Sequence, residues 1–277
     1  MGRVSGKVAF ITGAARGQGR AHAVRLAEEG ADIIAIDLCE DVPEMAYPGG
    51  TEEDLAKTGR LVEKTGRRVV TRKADVRSLD QLQSAVDAGV AELGRLDVVV
   101  ANAGVLTAVG PFDRMSEAAF MDTIDINLTG VWRTVRVAMP HLRASGGAGS
   151  IILISSSAGL RASRQTSHYV ASKTGVVGLM KAMALELGPE MIRVNSVHPT
   201  QVDTPMIHNE FMYRRARPDL ENPGRDDLAA ASLSRMAMPV PWVDPVEISH
   251  AVVFLASEES RYVTGLAMTV DAGISIA

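Results

Sequence analysis

Short, continuous apolar runs alternate along this chain with longer stretches whose apolar residues recur every three or four positions. The runs Lys7–Thr12, Ala31–Leu38, Arg68–Ala74, Leu96–Ala101, Ser150–Ser155, Ile192–Val197 and Leu266–Val270 lack the in-and-out alternation of a half-exposed strand, so they read as strands covered on both faces. Helical spacing marks Arg20–Glu29, Leu79–Leu93, Glu117–Arg143, Tyr169–Leu187 and Pro245–Ser257. Helices set between strands in this way act as crossovers, and crossovers imply a parallel sheet with helices on both faces. The pattern predicts an α/β fold, a doubly wound seven-stranded parallel sheet in a single domain over residues 1–277.

Two segments break the rhythm. Residues 39–67 insert a Pro48-Gly49-Gly50 turn before Thr51, which reads as a helix cap with Glu53 and Asp54 in the first turn. This insertion falls where the adenosine end of a bound nucleotide would lie. The stretch of about 204–244 is rich in Met, Arg and Pro and has no strand signal, the mark of a substrate lid. Its Met206, Phe211, Met212, Tyr213, Met236, Met238 and Trp242 suit an apolar cavity. The plain alternative is packing onto its own domain or a neighbouring subunit.

Hydrophobic residues make up 46% of the chain and charged residues 22%, as in an ordinary globular protein. The formal net charge of −4, with no basic cluster, argues against a nucleic-acid partner. No signal-peptide pattern follows Met1, and no stretch approaches the ~18 apolar residues of a membrane span, so a cytoplasmic location and no membrane partner are expected. A single cysteine, Cys39, cannot form an intrachain disulfide, which agrees with a reducing compartment.

Candidate chemistry begins at Thr12-Gly13-Ala14-Ala15-Arg16-Gly17-Gln18-Gly19, which follows a strand and opens a helix. Glycines there permit a tight turn and let backbone N–H groups approach a pyrophosphate at the helix N-terminus. Gly13, Arg16, Gly17, Gln18 and Gly19 are therefore candidate dinucleotide contacts. Asp37, with Leu38 beside it, closes the second strand about twenty residues later, where a carboxylate can accept both ribose hydroxyls of NAD and would repel a 2′-phosphate. Arg16 points the other way, since a guanidinium beside the turn can hold that phosphate, and it leaves an NADP-preferring ketoreductase open.

Tyr169 and Lys173 stand four residues apart at the start of a helix, on one face and with Cβ atoms ~6 Å apart. A free phenol titrates near ~10, too high for a good base at neutral pH. An ammonium nearby, together with the positive charge of an oxidised nicotinamide, would favour the phenolate and lower that value. The six histidines show no metal-ligand spacing, so no metal is expected, and no Gly-x-Ser-x-Gly elbow suggests a hydrolase.

Together with the glycine turn, Asp75-Val76, Asn102-Ala103-Gly104, Asn127, Ser156, Tyr169-x-x-x-Lys173 and Asn195-Ser196-Val197-His198-Pro199 resemble the short-chain dehydrogenase/reductase family over nearly the whole chain. The IDLC, Tyr47-Pro48, KADVR and NSVHPT segments are similar to those of its carveol-dehydrogenase-like, mycofactocin-coupled group. The resemblance implies a Rossmann fold and a homotetramer. It also implies that Asp75 and Val76 contact adenine, that Asn102, Ala103 and Gly104 pack along the adenosine and ribose, and that Val202 and Thr204 hold the nicotinamide carboxamide. By the same resemblance Tyr169 exchanges the proton, Lys173 tunes it, Ser156 holds the substrate oxygen, and Asn127 completes a proton relay through water. Ser156 is selected among Ser155, Ser156 and Ser157 by the family spacing of thirteen residues before Tyr169. Two departures stand out: Ala101 replaces a common Asn, and Thr200 replaces the Gly usual after Pro199, restricting the backbone at the nicotinamide end.

The expected function is hydride transfer between NAD and a small hydrophobic secondary alcohol or ketone, such as a carveol-like terpenoid or related cyclic alcohol. An external redox acceptor is a further partner that the subgroup resemblance raises. A nucleotide-binding sensor without turnover remains a rival from another class. The helix Tyr169–Leu187 is apolar around so much of its circumference, at Val176, Val177, Leu179, Met180, Met183 and Leu187, that a subunit interface is expected on it.

Overall fold

The seven apolar runs become β1 (Val8–Thr12), β2 (Asp32–Asp37), β3 (Val69–Lys73), β4 (Val98–Ala101), β5 (Ser150–Ile154), β6 (Arg193–Pro199) and β7 (Ala267–Val270). In the computed structural model, which describes residues 2–146 and 148–277, they form one sheet in the order β3-β2-β1-β4-β5-β6-β7, every pairing parallel. The chain winds outward from β1 to β3 and then returns to lay β4 on the other side of β1. That reversal leaves a crevice at the carboxyl ends of β1 and β4, where helices leave the sheet in opposite directions.

Alternate residues of each central strand feed two separate cores. Phe10, Ile34, Val99, Ile151 and Leu153 face one side; Ile11, Ile33, Val98, Val100 and Ile152 face the other. The first side is covered by α3 (Leu79–Leu93), α5 (Gly130–Ala144) and α6 (Ser167–Leu187), the second by α1 (Gly17–Glu28), α2 (Glu52–Glu63) and α9 (Pro245–Ala256). Both faces being covered is why the five inner strands read as unbroken apolar runs, whereas the edge strands β3 and β7, expected to be covered as well, are partly exposed because each has a neighbour on one side only.

The stretch 117–143, expected as one helix, is broken. α4 (Glu117–Ile124) passes into a π turn at Asp125–Thr129, where the Gly130 N–H reaches back five residues to the Asp125 carbonyl, before α5 begins. A π turn carries one residue more than an α turn and disturbs the local carbonyl ladder. Asn127 lies in it, fully buried.

The insertion forms an extended arm and α2. Thr51 caps α2 reciprocally with Asp54: the Thr51 hydroxyl accepts from the Asp54 N–H at 3.0 Å and the Asp54 carboxylate accepts from the Thr51 N–H at 3.2 Å. Thr58 on this helix donates to the carbonyl of Ala14 at 2.9 Å, fastening α2 to the glycine turn. The arm before it crosses to the loop after β4, with an antiparallel bridge between Met45 and Thr107 and an Ala108 N–H bond to the Glu44 carbonyl at 2.9 Å.

Residues 204–242 leave and rejoin the fold at one place. Val202 bridges Val243, with Asp203 N–H donating to Val243 at 2.9 Å and Val243 N–H to Gln201 at 3.0 Å. Between these stems lie α7 (Glu210–Ala216) and α8 (Arg225–Leu233). The wide apolar arc of α6 is used within the chain itself: Val176, Met180 and Leu187 are buried, and Val177, Leu179 and Met183 pack against the same core. Its outer face instead carries Ala171, Thr174, Gly178, Lys181, Ala182 and Leu185. No described helix is long and apolar enough to cross a membrane.

Candidate active site

The crevice at the switch point is an open cleft. Its floor is the glycine turn. Gly13 and Gly17 have φ of +68° and +53°, and a Cβ on Gly13 would lie 2.8 Å from the Ala103 backbone, while one on Gly19 would lie 2.0 Å from the Gly13 carbonyl. Side chains are thus excluded where α1 begins, and its first N–H groups stay open to an anion. The Gln18 Oε1 atom is buried with no hydrogen-bond partner among the described residues, a polar atom awaiting one.

At the outer end, Asp37 accepts from the N–H of Ala15 at 2.9 Å and of Cys39 at 3.1 Å. Each carboxylate oxygen keeps a lone pair for a ribose hydroxyl. Leu38, Asp75, Val76, Asn102, Ala103 and Gly104 line the same cleft, as do Arg16, Gln18 and Thr204. Asp75 is oriented by Arg77, whose Nε lies 2.9 Å from the carboxylate. Asn102 is fixed by its amide donating to the Thr12 carbonyl at 2.9 Å. Val202 is buried behind Thr204, whose hydroxyl donates to the Val202 carbonyl at 3.2 Å, and it does not line the cleft. The residues present therefore fit a dinucleotide with free ribose hydroxyls.

The insertion supplies a wall that sequence reasoning did not resolve into residues: Glu40, Val42, Met45, Tyr47, Gly49 and Gly50. Arg16 is turned into this wall, bonding the Pro48 carbonyl and lying 5.8 Å from the centre of the Tyr47 ring. A guanidinium engaged this way clasps the insertion instead of standing free for a phosphate. Burial pushes the Tyr47 phenol up to about 12, so its hydroxyl stays protonated.

Beyond Gly104 the cleft meets the titratable side chains. A Cβ on Gly104 would lie 3.3 Å from Lys173 Nζ and 3.4 Å from Asn127 Oδ1, so the loop passes closely over both. Asn127 clamps that loop by accepting from the Val105 N–H at 2.8 Å and donating to the Val105 carbonyl at 2.9 Å. Lys173 is 3% exposed and donates to the Ile154 carbonyl at 2.9 Å. Burial lowers its pKa to about 8.

Lys173 Nζ is 5.7 Å from the centre of the Tyr169 ring. The expected lowering of the Tyr169 pKa by Lys173 does not appear in the free protein. Burial holds this phenol above its ordinary range, opposed by a hydrogen bond with Ser156. The reason is desolvation, which penalises phenolate and ammonium alike when both are held in one dry site. The pair thus needs a further positive charge, and a bound oxidised nicotinamide is one. Ser156 Oγ accepts from the Ala158 N–H at 3.1 Å, and its hydroxyl hydrogen serves the bond to Tyr169 in the free protein.

Comparison with known proteins places this geometry among dehydrogenases. The family model described as enoyl-(acyl carrier protein) reductase matches residues 13–275. The (-)-trans-carveol dehydrogenase of Rhodococcus erythropolis is 53% identical over 276 residues, covering 100% of both chains. The crystal structure of carveol dehydrogenase from Mycobacterium avium in complex with NAD matches with a TM-score of 0.99 at 58% identity, covering 100% of each chain. That of a short chain dehydrogenase from Mycobacterium paratuberculosis bound to NAD matches with a TM-score of 0.90 at 45% identity, again covering 100% of each.

Proposed function

This chain belongs to the short-chain dehydrogenase/reductase family, and from that membership we propose that it moves hydride between NAD and a hydrophobic, cyclic secondary alcohol or its ketone. The observation that carries the reading is the meeting, at Gly104, of a cleft shaped for a dinucleotide with Lys173 and Asn127, next to Tyr169 and Ser156. NAD, when bound, supplies the hydride acceptor. Ser156 turns its hydroxyl hydrogen from Tyr169 to the substrate oxygen and steadies charge there. Tyr169 removes the hydroxyl proton in oxidation and returns it in reduction, and Lys173 holds positive charge beside it. Asn127 fixes the loop over Lys173 and links the site to solvent through a water relay.

Residues of about 204–244 act as the substrate lid, with Met206 at the cleft and Met236 buried. The protein works as a homotetramer in the cytoplasm. The outer face of α6 favours this assembly, because Ala171, Gly178 and Ala182 let a second helix approach closely.

Cofactor choice follows from Asp37, open to ribose hydroxyls, and from Arg16, committed to Pro48 and Tyr47. The same clasp holds the insertion over the adenosine end, so the nucleotide exchanges slowly and an external acceptor reoxidises it in place. Denaturing extraction of dialysed protein is expected to release NAD and no NADP. Arg16→Ala is expected to lose most of its nucleotide during the same dialysis. NADP in the extract, or equal retention by Arg16→Ala, contradicts this account.

A further inference from the structure

His198 is the last residue but one of β6, fully buried, and none of the roles above uses it. Its ring makes two hydrogen bonds, Nδ1 to the Ser156 carbonyl at 2.8 Å and Nε2 to the Ser196 hydroxyl at 2.7 Å. A carbonyl can only accept, so Nδ1 carries the hydrogen and Nε2 accepts from Ser196. The two neighbours therefore fix one neutral tautomer. Burial, with Lys173 nearby, holds the imidazole pKa below its ordinary value, opposed by the bond to the Ser156 carbonyl and by Asp271.

The backbone explains why a side chain is needed at this point. The β5–β6 ladder ends where the Ser155 N–H donates to the Val197 carbonyl at 2.9 Å. The next β6 nitrogen that would face β5 belongs to Pro199 and has no hydrogen to give, so the ladder stops at Ser155. The Ser156 carbonyl, one residue past the ladder, receives the Gly159 N–H at 2.9 Å and the His198 ring. With the Ala158 N–H on Ser156 Oγ, three bonds set the aim of the Ser156 hydroxyl, and only the one from His198 ties it to the sheet.

We infer that His198 is a positioning residue for hydride transfer, holding the Ser156 carbonyl through its Nδ1–H so that the Ser156 hydroxyl stays aimed at the substrate oxygen. The inference rests on the functional reading given above. A misplacement of ~1 Å at a reacting group can cost ~100-fold.

The test uses the purified protein with its bound nucleotide and a panel of cyclic secondary alcohols. In His198→Leu, kcat is expected to fall about 10- to 100-fold, with KM within about threefold and nucleotide content unchanged. His198→Asn places an amide N–H near the position of Nδ1 and is expected to restore kcat to within about threefold of the native chain. A purely structural role predicts a lower melting temperature in both variants, with no recovery by Asn. Should His198→Leu not fold, ring ¹⁵N NMR of the native chain decides: it is expected to show a neutral Nδ1–H tautomer throughout the active pH range. An Nε2–H tautomer, or native kcat in His198→Leu, overturns the inference. No turnover by the native chain with any alcohol would count against the functional reading, and the tautomer measurement would still test His198 separately.

Discussion

Tyr169→Phe is expected to lower turnover by about 10²- to 10⁴-fold, the usual worth of a positioned acid or base, while nucleotide content stays near native. The substitution removes one oxygen and leaves the ring in place against Lys173, 5.7 Å from its centre to Nζ. Among the described residues no other phenol or carboxylic acid stands beside Ser156 and Lys173 to take its place. Ser156 has an ordinary hydroxyl, Lys173 points to the Ile154 carbonyl at 2.9 Å, and Tyr47 is held up at about 12. Because burial raises the Tyr169 pKa in the free protein, oxidation is expected to speed up as pH rises and reduction to slow. The check is single-turnover kinetics of both proteins as a function of pH, alongside extracted nucleotide. Turnover by Tyr169→Phe within about threefold of native would remove Tyr169 from the proton path.

Lys173→Met should separate activity from stability. Its burial lowers the Lys173 pKa from 10.5 to about 8, so the folded state resists the ammonium that the unfolded chain accepts freely. Below about 8 both states carry the proton and the full cost of the buried charge is present. As pH rises from about 8 to 10.5 the folded protein loses the proton first, and stability rises with it. A shift of this size corresponds to roughly 3 kcal/mol, against which the lost bond to the Ile154 carbonyl counts about 1 kcal/mol. The nucleotide-free variant is therefore expected to be about 1–3 kcal/mol more stable than the native chain at neutral pH, with the gain shrinking in alkali. Its turnover is expected to fall at least tenfold, because the positive charge beside Tyr169 is gone. Denaturant unfolding across pH measures the first effect. A variant less stable at neutral pH, with the same pH slope as native, would show that Lys173 is not buried at a cost.

Much of this was legible in the chain because single strong rules governed it. Continuous apolar runs gave the strands, and α3 has the bounds its spacing implied, Leu79–Leu93. The glycine turn and Asp37 were legible because a fixed spacing ties them to one ligand geometry. The π turn at Asp125–Thr129 was not, since one extra residue hardly disturbs a helical apolar pattern. The wall of Met45 and Tyr47 depends on a bridge to Thr107, some sixty residues away, which no local pattern encodes. The role of Arg16 turned on the same fold-back, and that of His198 on the ladder between β5 and β6. Spacing reports the charge near Tyr169 but not how dry the site around it is, so the burial that raises its pKa in the free protein had no signal in the chain.

The central claim is that this site oxidises a cyclic alcohol with its own nucleotide. The protein, as purified, is mixed anaerobically with a panel of cyclic secondary alcohols, then denatured, and the released nucleotide is separated into oxidised and reduced forms. The account predicts NADH approaching one equivalent per subunit with at least one alcohol, and NAD essentially unchanged in Tyr169→Phe. NAD unchanged in the native chain with every alcohol offered would contradict it.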